Sequence, residues 1–363
     1  MRSRPRSLLL QVLREPRGVA GLGGAEWEMI LWHGRATNLL GHLCHRFEDA
    51  GLAGTLPRRI QDRLRAASVM AEEHNRRNLW EADRVHHAVR DLDVPIILLK
   101  GAAYAAARLP AARGRPTADI DVMVPKRRIA EVERALLAHG WEHTVLDAYD
   151  QRYYRRWMHE IPPLLHAERD TTLDLHHAIL PATSRLHLQM EPMYEAAIPI
   201  EGLPYKMLAP PDMILHAAVH LFHDGEIAGS LRDLVDIDAL LRDFGGRADF
   251  WPRLTARAAE LGLQRPLFYA LRYAAFLLDT PVPADAAAEA ASGCPSRIVL
   301  RLMDRLVPDA LTPPATAAER WRFHAVRFCL YVRSHWLRMP PGRLIAHLTR
   351  KSLRRLLLRP AEA

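Results

Sequence analysis

The sequence predicts an α+β protein, a small mixed sheet held between two helical regions. Three observations carry that reading. Apolar residues recur at three- and four-residue spacing from about Trp27 to Leu92. The period then shortens near Val94, where brief apolar runs end in glycine or turn residues. From Ala209 onward the helical period returns. Those changes divide the chain into a helical region over 1–92, an α/β core over 93–205 and a helical region over 206–363.

The elements follow in order. "WEMILWHGRATNLLGHLCHRFEDAGL" and the longer "LPRRIQDRLRAASVMAEEHNRRNLWEADRVHHAVRDL" read as helices, the second with Pro57 near its start. "VPIILLKG" (Val94–Gly101) is a strand ended by glycine, "AAYAAARL" a short helix and "PAARGRPT" a loop. "ADIDVMVP" is a second strand. Arg128–Trp141 is an amphipathic helix with Gly140 as its stop. Two further strands are expected, near Glu160–His166 and within Thr171–Leu180, separated by the turn-like "AERD". Pro211 and Asp212 open the next helix, and "SLRDLVDIDALLRDFGG" is another.

Composition excludes several classes. The 363 residues are 49% hydrophobic and 25% charged, ordinary for a globular chain. No charge-free apolar run reaches the ~18 residues of a membrane span, and Arg14 and Glu15 cut short any signal-like N-terminus. Cys44, Cys294 and Cys329 form no CxxC pair, so a disulfide framework or zinc ribbon is not expected and a cytoplasmic location is. The net charge of +8 is concentrated after Arg320, where basic residues up to Arg359 meet no acidic one. That run could attract nucleic acid, anionic lipid or phosphorylated substrate, but no aromatic or Gly-rich RNA-binding signature accompanies it, so nucleic acid is not the favoured partner.

The chemistry concentrates in two strands. Residues i and i+2 of a strand share a face, so Asp119 and Asp121 project together, opposite Ile120, Val122 and Val124. Two carboxylates so placed repel unless a cation lies between them, and a hard divalent ion with oxygen ligands is the common solution. A third carboxylate, Asp174, lies in the apolar strand "TLDLH", with His176 two residues on. His216, His220 and His223 recur at helical spacing but without the Glu of a zinc helix, so they are expected to pack beside the cleft. No P-loop, GxSxG or dinucleotide fingerprint is present.

The segments "LLKGAAY", "RPTADIDVMV", "LLAHGW", "LDLHHAIL" and "LHAAVHLFHDGEIAGSLRDLVDIDALL" together resemble a bacterial family of uncharacterised nucleotidyltransferases, within the superfamily that shares the palm fold of DNA polymerase β. The resemblance covers roughly Trp27 to Leu241. It implies a polymerase β-like core and Mg²⁺ or Mn²⁺ held by Asp119, Asp121 and Asp174, the last as a second-metal ligand or an activator of the acceptor. It also implies an NTP whose phosphates meet Lys100, Gly101 and the following helix. Arg115 is a candidate phosphate-binding or strand-anchoring cation. His176, His216, His220, Asp233 and Asp236 are candidates for contacts around the site or with the acceptor. The implied reaction moves a nucleoside monophosphate from an NTP to a hydroxyl of a small molecule, sugar or protein and releases pyrophosphate. In this chain Ala102 follows Gly101 where better-known superfamily members carry Ser. A catalytically silent nucleotide-binding protein is therefore the alternative. A glycosyltransferase, which also uses Asp-x-Asp, is disfavoured because the residues before the motif read as helical rather than as a β/α half.

Overall fold

The computed structural model describes residues 7–144, 148–224, 227–314, 317–338 and 342. The N-terminal part is helical: α1 (Leu8–Arg14), α2 (Gly24–Ala36), α3 (Leu40–Asp49) and α4 (Arg58–Val89). The core follows as β1 (Ile97–Leu98), α5 (Lys100–Ala106), β2 (Ile120–Met123), α6 (Ile129–Leu137), β3 (Trp141–His143), α7 (Ala148–Trp157), β4 (Leu164–His166), β5 (Thr172–His176), α8 (Glu191–Ala196), β6 (Ile198–Pro199) and β7 (Lys206–Met207). Then come α9 (Pro210–Val219), a π-helical turn (His220–Asp224), α10 (Leu231–Phe244), α11 (Phe250–Glu260), α12 (Gln264–Leu278), α13 (Ala284–Ala290), α14 (Arg297–Ala310) and α15 (Ala317–Arg338). Among the described residues before β1 there is no strand, the arrangement expected against a glycosyltransferase half-sheet.

The seven strands form one mixed sheet in the order β3-β4-β5-β2-β1-β7-β6. The pair that matters is β2 and β5, which run parallel with Asp121 opposite Asp174 and Met123 opposite His176. β1 lies antiparallel on the other side of β2, pairing Ile97 with Met123. All four β2 residues are buried, which is why this strand reads as apolar despite its aspartate.

Helix α4 organises both strands. Its buried positions Ile60, Leu64, Ser68, Ala71, Asn78, Ala82 and Val85 recur mostly at three or four residues and turn one stripe inward. From that stripe the Asn78 amide donates to the carbonyl of Thr117 at 2.9 Å and to that of Asp119 at 3.4 Å. Three residues on, Glu81 accepts from Arg169 Nε at 2.7 Å and from Thr171 Oγ1 at 3.1 Å, just before β5. At the other end of the two strands, Tyr194 Oη reaches the carbonyls of Val124 and His177.

Three local expectations need correction. The amphipathic helix stops at Leu137, and Trp141 opens strand β3 instead of ending the helix. Gly140 between them has φ +87°, and a Cβ there would lie 2.9 Å from His166 Nε2, so the reversal needs glycine twice over. The strand expected over Glu160–His166 is regular only over Leu164–His166, since Pro162 and Pro163 interrupt it, and Glu160 makes an isolated antiparallel bridge to His176. Strands β6 and β7 were not anticipated.

One hydrophobic cluster runs from Leu9 to Leu330, so the helical regions share a core with the sheet. Helix α9 is buried from Pro211 to Val219, and its one carboxylate, Asp212, is paired with Arg257 at 2.7 Å. No helix among the described residues is long and apolar enough to cross a membrane. Of the basic C-terminal run, Arg320, Arg322, Arg327, Arg333 and Arg338 lie on α15. Arg322 pairs with Asp309 at 2.8 Å, and Arg333 donates to the Phe222 carbonyl at 2.8 Å. The basic residues from Arg343 onward lie outside the described residues.

Candidate active site

Asp121 is buried, 4% exposed, in the middle of the sheet. Its Oδ1 accepts from Lys100 Nζ at 2.9 Å and from His176 Nε2 at 3.0 Å. Burial alone would raise its pKa, but the Lys100 ammonium and the His176 hydrogen bond outweigh burial and hold the carboxyl well below the usual carboxylate range. Lys100 mirrors this: burial disfavours its charge, while Asp121, with Asp119 and Glu160 behind it, keeps the ammonium protonated above its ordinary range. Lys100 occupies the left-handed region at φ +45°, which turns the chain from β1 into α5 and aims its side chain at β2.

Asp174 sits directly across from Asp121 and is half-buried. Burial, then the neighbouring charges of Asp121 and Glu160, push its carboxyl up to about 7. Asp119 is half-buried at the entrance to β2 and adds to the same negative field. Asp119, Asp121, Glu160 and Asp174 thus crowd one sheet face around the Lys100 ammonium and the His176 imidazole. Asp119, Asp121 and Asp174 offer an oxygen-only donor set, and their mutual repulsion is the electrostatic condition that a hard divalent cation relieves. Oxygen donors of this kind suit a hard divalent cation such as Mg²⁺ or Mn²⁺. As placed, the three aspartates do not bring one oxygen each within 4.8 Å of one another, so side-chain movement would be needed for all three to meet one ion.

His176 is 2% exposed and lies between two acids, with Nε2 on Asp121 and Nδ1 3.4 Å from Glu160 Oε2. Burial opposes its charge, but the Asp121 hydrogen bond and the Glu160 charge raise its pKa above the ordinary value. The ring of His159 stacks on it, with centroids 5.4 Å apart and planes at 27°.

The other expected residues fall into two groups. His216 and His220 line the cleft from α9 and the π turn. Burial, then the Lys100 charge, depresses His216 well below the ordinary imidazole value. The Lys100 charge, then burial, brings His220 down to about 4, with Asp233 3.9 Å away opposing the shift. His223 is carried away from the cleft by the π turn, and its Nε2 meets Ser184 Oγ at 2.8 Å. Arg115 and Asp236 form the second group. Both are buried, and Arg115 Nε donates to Asp236 Oδ2 at 2.7 Å. The guanidinium also donates to Thr117 Oγ1 at 3.3 Å and lies over the Tyr104 ring, 5.7 Å from its centroid. This pair ties the loop before β2 to α10. Gly101 leaves the space it needs, because a Cβ there would lie 2.2 Å from Arg115 Nη1 and 2.5 Å from Thr117 Oγ1.

Sequence reasoning missed His159, Glu160 and Asn78. The "HEI" alternation at His159–Ile161 is a faint strand signal that points Glu160 away from its neighbours. Nothing in the sequence marks Asn78, which acts through its place on the α4 stripe.

No curated protein and no solved structure matches this chain. The profile of a family described as "Uncharacterised nucleotidyltransferase" matches residues 23–279, which takes in the carboxylate strands, the glycine turn and the histidine helix. The chain therefore belongs to this family of uncharacterised nucleotidyltransferases.

Proposed function

We propose that the protein is a metal-dependent nucleotidyltransferase that moves a nucleoside monophosphate from an NTP to an acceptor hydroxyl and releases pyrophosphate. The observation that carries the proposal is the register of β2 and β5, which sets Asp121 against Asp174 with Asp119 at the cleft entrance. Hard divalent cations bound to these carboxylates would neutralise the triphosphate and polarise its α-phosphorus. The chain's own groups position the reactants. Asp119, Asp121 and Asp174 hold the negative pole of the cleft. Lys100 keeps a positive charge beside Asp121, where it can turn to a phosphate oxygen. His216, His220 and Asp233 form the opposite wall, where base, ribose or acceptor would lie. The acceptor oxygen forms a bond to the α-phosphorus, the bond from that phosphorus to the bridging oxygen breaks, and pyrophosphate leaves with the electron pair. The hydroxyl proton passes to Asp174 or to solvent. The three free cysteines fit a reducing cytoplasm.

The test incubates the full-length chain with each of the four α-³²P-labelled NTPs, MgCl₂ or MnCl₂, and a cell extract as acceptor source. Label transfer is expected with at least one NTP. It should fall by at least ~100-fold in Asp121→Asn and in Asp174→Asn, since loss of a group merely supporting a metal ligand already costs 10–100-fold. Absence of both NTP binding and label transfer with either metal would overturn the proposal.

A further inference from the structure

The geometry points to a second metal site, for a first-row transition ion such as Zn²⁺, formed by His159, Glu160 and His176 beside the aspartate cleft. One donor atom from each residue lies within 4.8 Å of the other two. Glu160 Oε2 is the hub, 3.4 Å from His176 Nδ1 and 3.9 Å from His159 Nε2. Two imidazoles and one carboxylate are the donor set of open zinc sites and of the facial triads of iron, and they suit borderline ions better than Mg²⁺, which prefers oxygen alone.

A second observation singles out the ring of His176. Its Nε2 faces Asp121 Oδ1, an oxygen already shared with the Lys100 ammonium and therefore an acceptor. Nε2 accordingly carries the proton and donates it. Nδ1 is then the nitrogen that faces the Glu160 carboxylate, 3.4 Å from its Oε2. Nδ1 is fully buried and has no hydrogen-bond partner among the described residues. A divalent cation bound there would take the place of any proton on Nδ1 and make both groups ligands. A histidine that ligates through one nitrogen and donates to a carboxylate from the other is the usual support of a metal site. Asp121 fills that supporting role here.

The backbone presets the cluster. Glu160 bridges His176 across the sheet edge, the amide of His177 donates to the His159 carbonyl at 2.8 Å, and that of Ile161 donates to the Leu175 carbonyl at 3.1 Å. The two histidines are buried and Glu160 is half-buried. Such a site would fix His176, and through it the orientation of Asp121. It does not require that the protein transfer nucleotides.

The test titrates metal-free full-length protein with Co²⁺, whose visible absorption reports nitrogen ligation and low coordination number, and then displaces it with Zn²⁺. Wild type is expected to bind one Co²⁺ with intense visible bands that Zn²⁺ abolishes. Glu160→Gln and, separately, His159→Gln should weaken Co²⁺ binding by at least ~100-fold while far-ultraviolet circular dichroism stays native. Asp119→Asn/Asp174→Asn, which strips the neighbouring cleft of two carboxylates, should leave the bands in place. The inference is overturned if wild type shows no such bands. It is equally overturned if the bands survive both Glu160→Gln and His159→Gln, or vanish in Asp119→Asn/Asp174→Asn with native circular dichroism. If Glu160→Gln does not fold, the His159→Gln variant decides.

Discussion

Removing one half of the Arg115–Asp236 pair should destabilise the protein far more than removing both. The side chains are 7% and 8% exposed, and the closest nitrogen and oxygen are 2.7 Å apart. Charge centres about 4 Å apart interact by roughly 4 kcal/mol at an effective dielectric constant near 20. Desolvation offsets most of that gain: burial keeps the Asp236 carboxyl above its ordinary pKa even with Arg115 beside it. The intact pair therefore adds little net stability, whereas Asp236→Ala leaves a buried guanidinium with Thr117 Oγ1, the Tyr104 ring and the more distant charge of Asp233. Breaking such a pair costs about 3–5 kcal/mol, which corresponds to a fall of roughly 4–7 °C in Tm for a chain of this size. Arg115→Met/Asp236→Leu keeps the volume and removes both charges, so it should recover most of the loss. Urea and thermal unfolding followed by circular dichroism measure all three proteins. An Asp236→Ala cost under about 1 kcal/mol, or a double variant no better than the single, would refute the reasoning.

Other outcomes follow from single contacts. In Gly41→Ala the new Cβ would sit 2.4 Å from the Gly114 carbonyl oxygen, backbone against backbone. The urea midpoint should drop by an amount equivalent to about 1–3 kcal/mol, and an unchanged midpoint would contradict the packing. Asn78→Ala removes the donor to the Thr117 and Asp119 carbonyls. It should cost about 1–3 kcal/mol and slow nucleotide transfer by ~10- to 100-fold, whereas full transfer with lowered stability would confine Asn78 to a structural role. Burial, followed by the Arg333 and Arg338 charges, lowers His223 from 6.5 to about 4. A depressed histidine stabilises fully above its unfolded value and loses that contribution as pH falls from 6.5 toward 4, by about 1.4 kcal/mol per unit. The stability gap between wild type and His223→Gln should therefore narrow by about 2 kcal/mol between pH 7 and pH 5, and a constant gap would exclude the coupling.

The carboxylate strands were legible because period-two alternation and an acid inside an apolar run are independent signals, and both occur at Asp121 and at Asp174. The glycine turn was equally visible, but its reason was not: Gly101 makes room for Arg115, a partner many residues away in the chain. Strands β6 and β7 are two residues long, too short to show any period. His159 and Glu160 precede two prolines that break the strand pattern, so only the pairing with His176 reveals their place. The spacing of His216, His220 and His223 predicts a continuous α-helix. The π turn at His220–Asp224 keeps His216 and His220 on the cleft and sends His223 to Ser184, a shift that no spacing rule in the sequence announces.

The parallel register of β2 and β5 also sets where this chain can be lengthened. Parallel neighbours enter the sheet from the same end, so the connection between them can grow without moving either carboxylate. A single residue inserted within Ile120–Met123 or Thr172–His176 would instead invert every downstream side chain on that strand, sending aspartate or histidine into the apolar layer. Parity inside the strands, and not the length between them, is what the cleft depends on. The exposed turn at Ala167–Glu168 is accordingly the place to insert a fluorescent or affinity tag, next to the site in sequence yet neutral to its geometry.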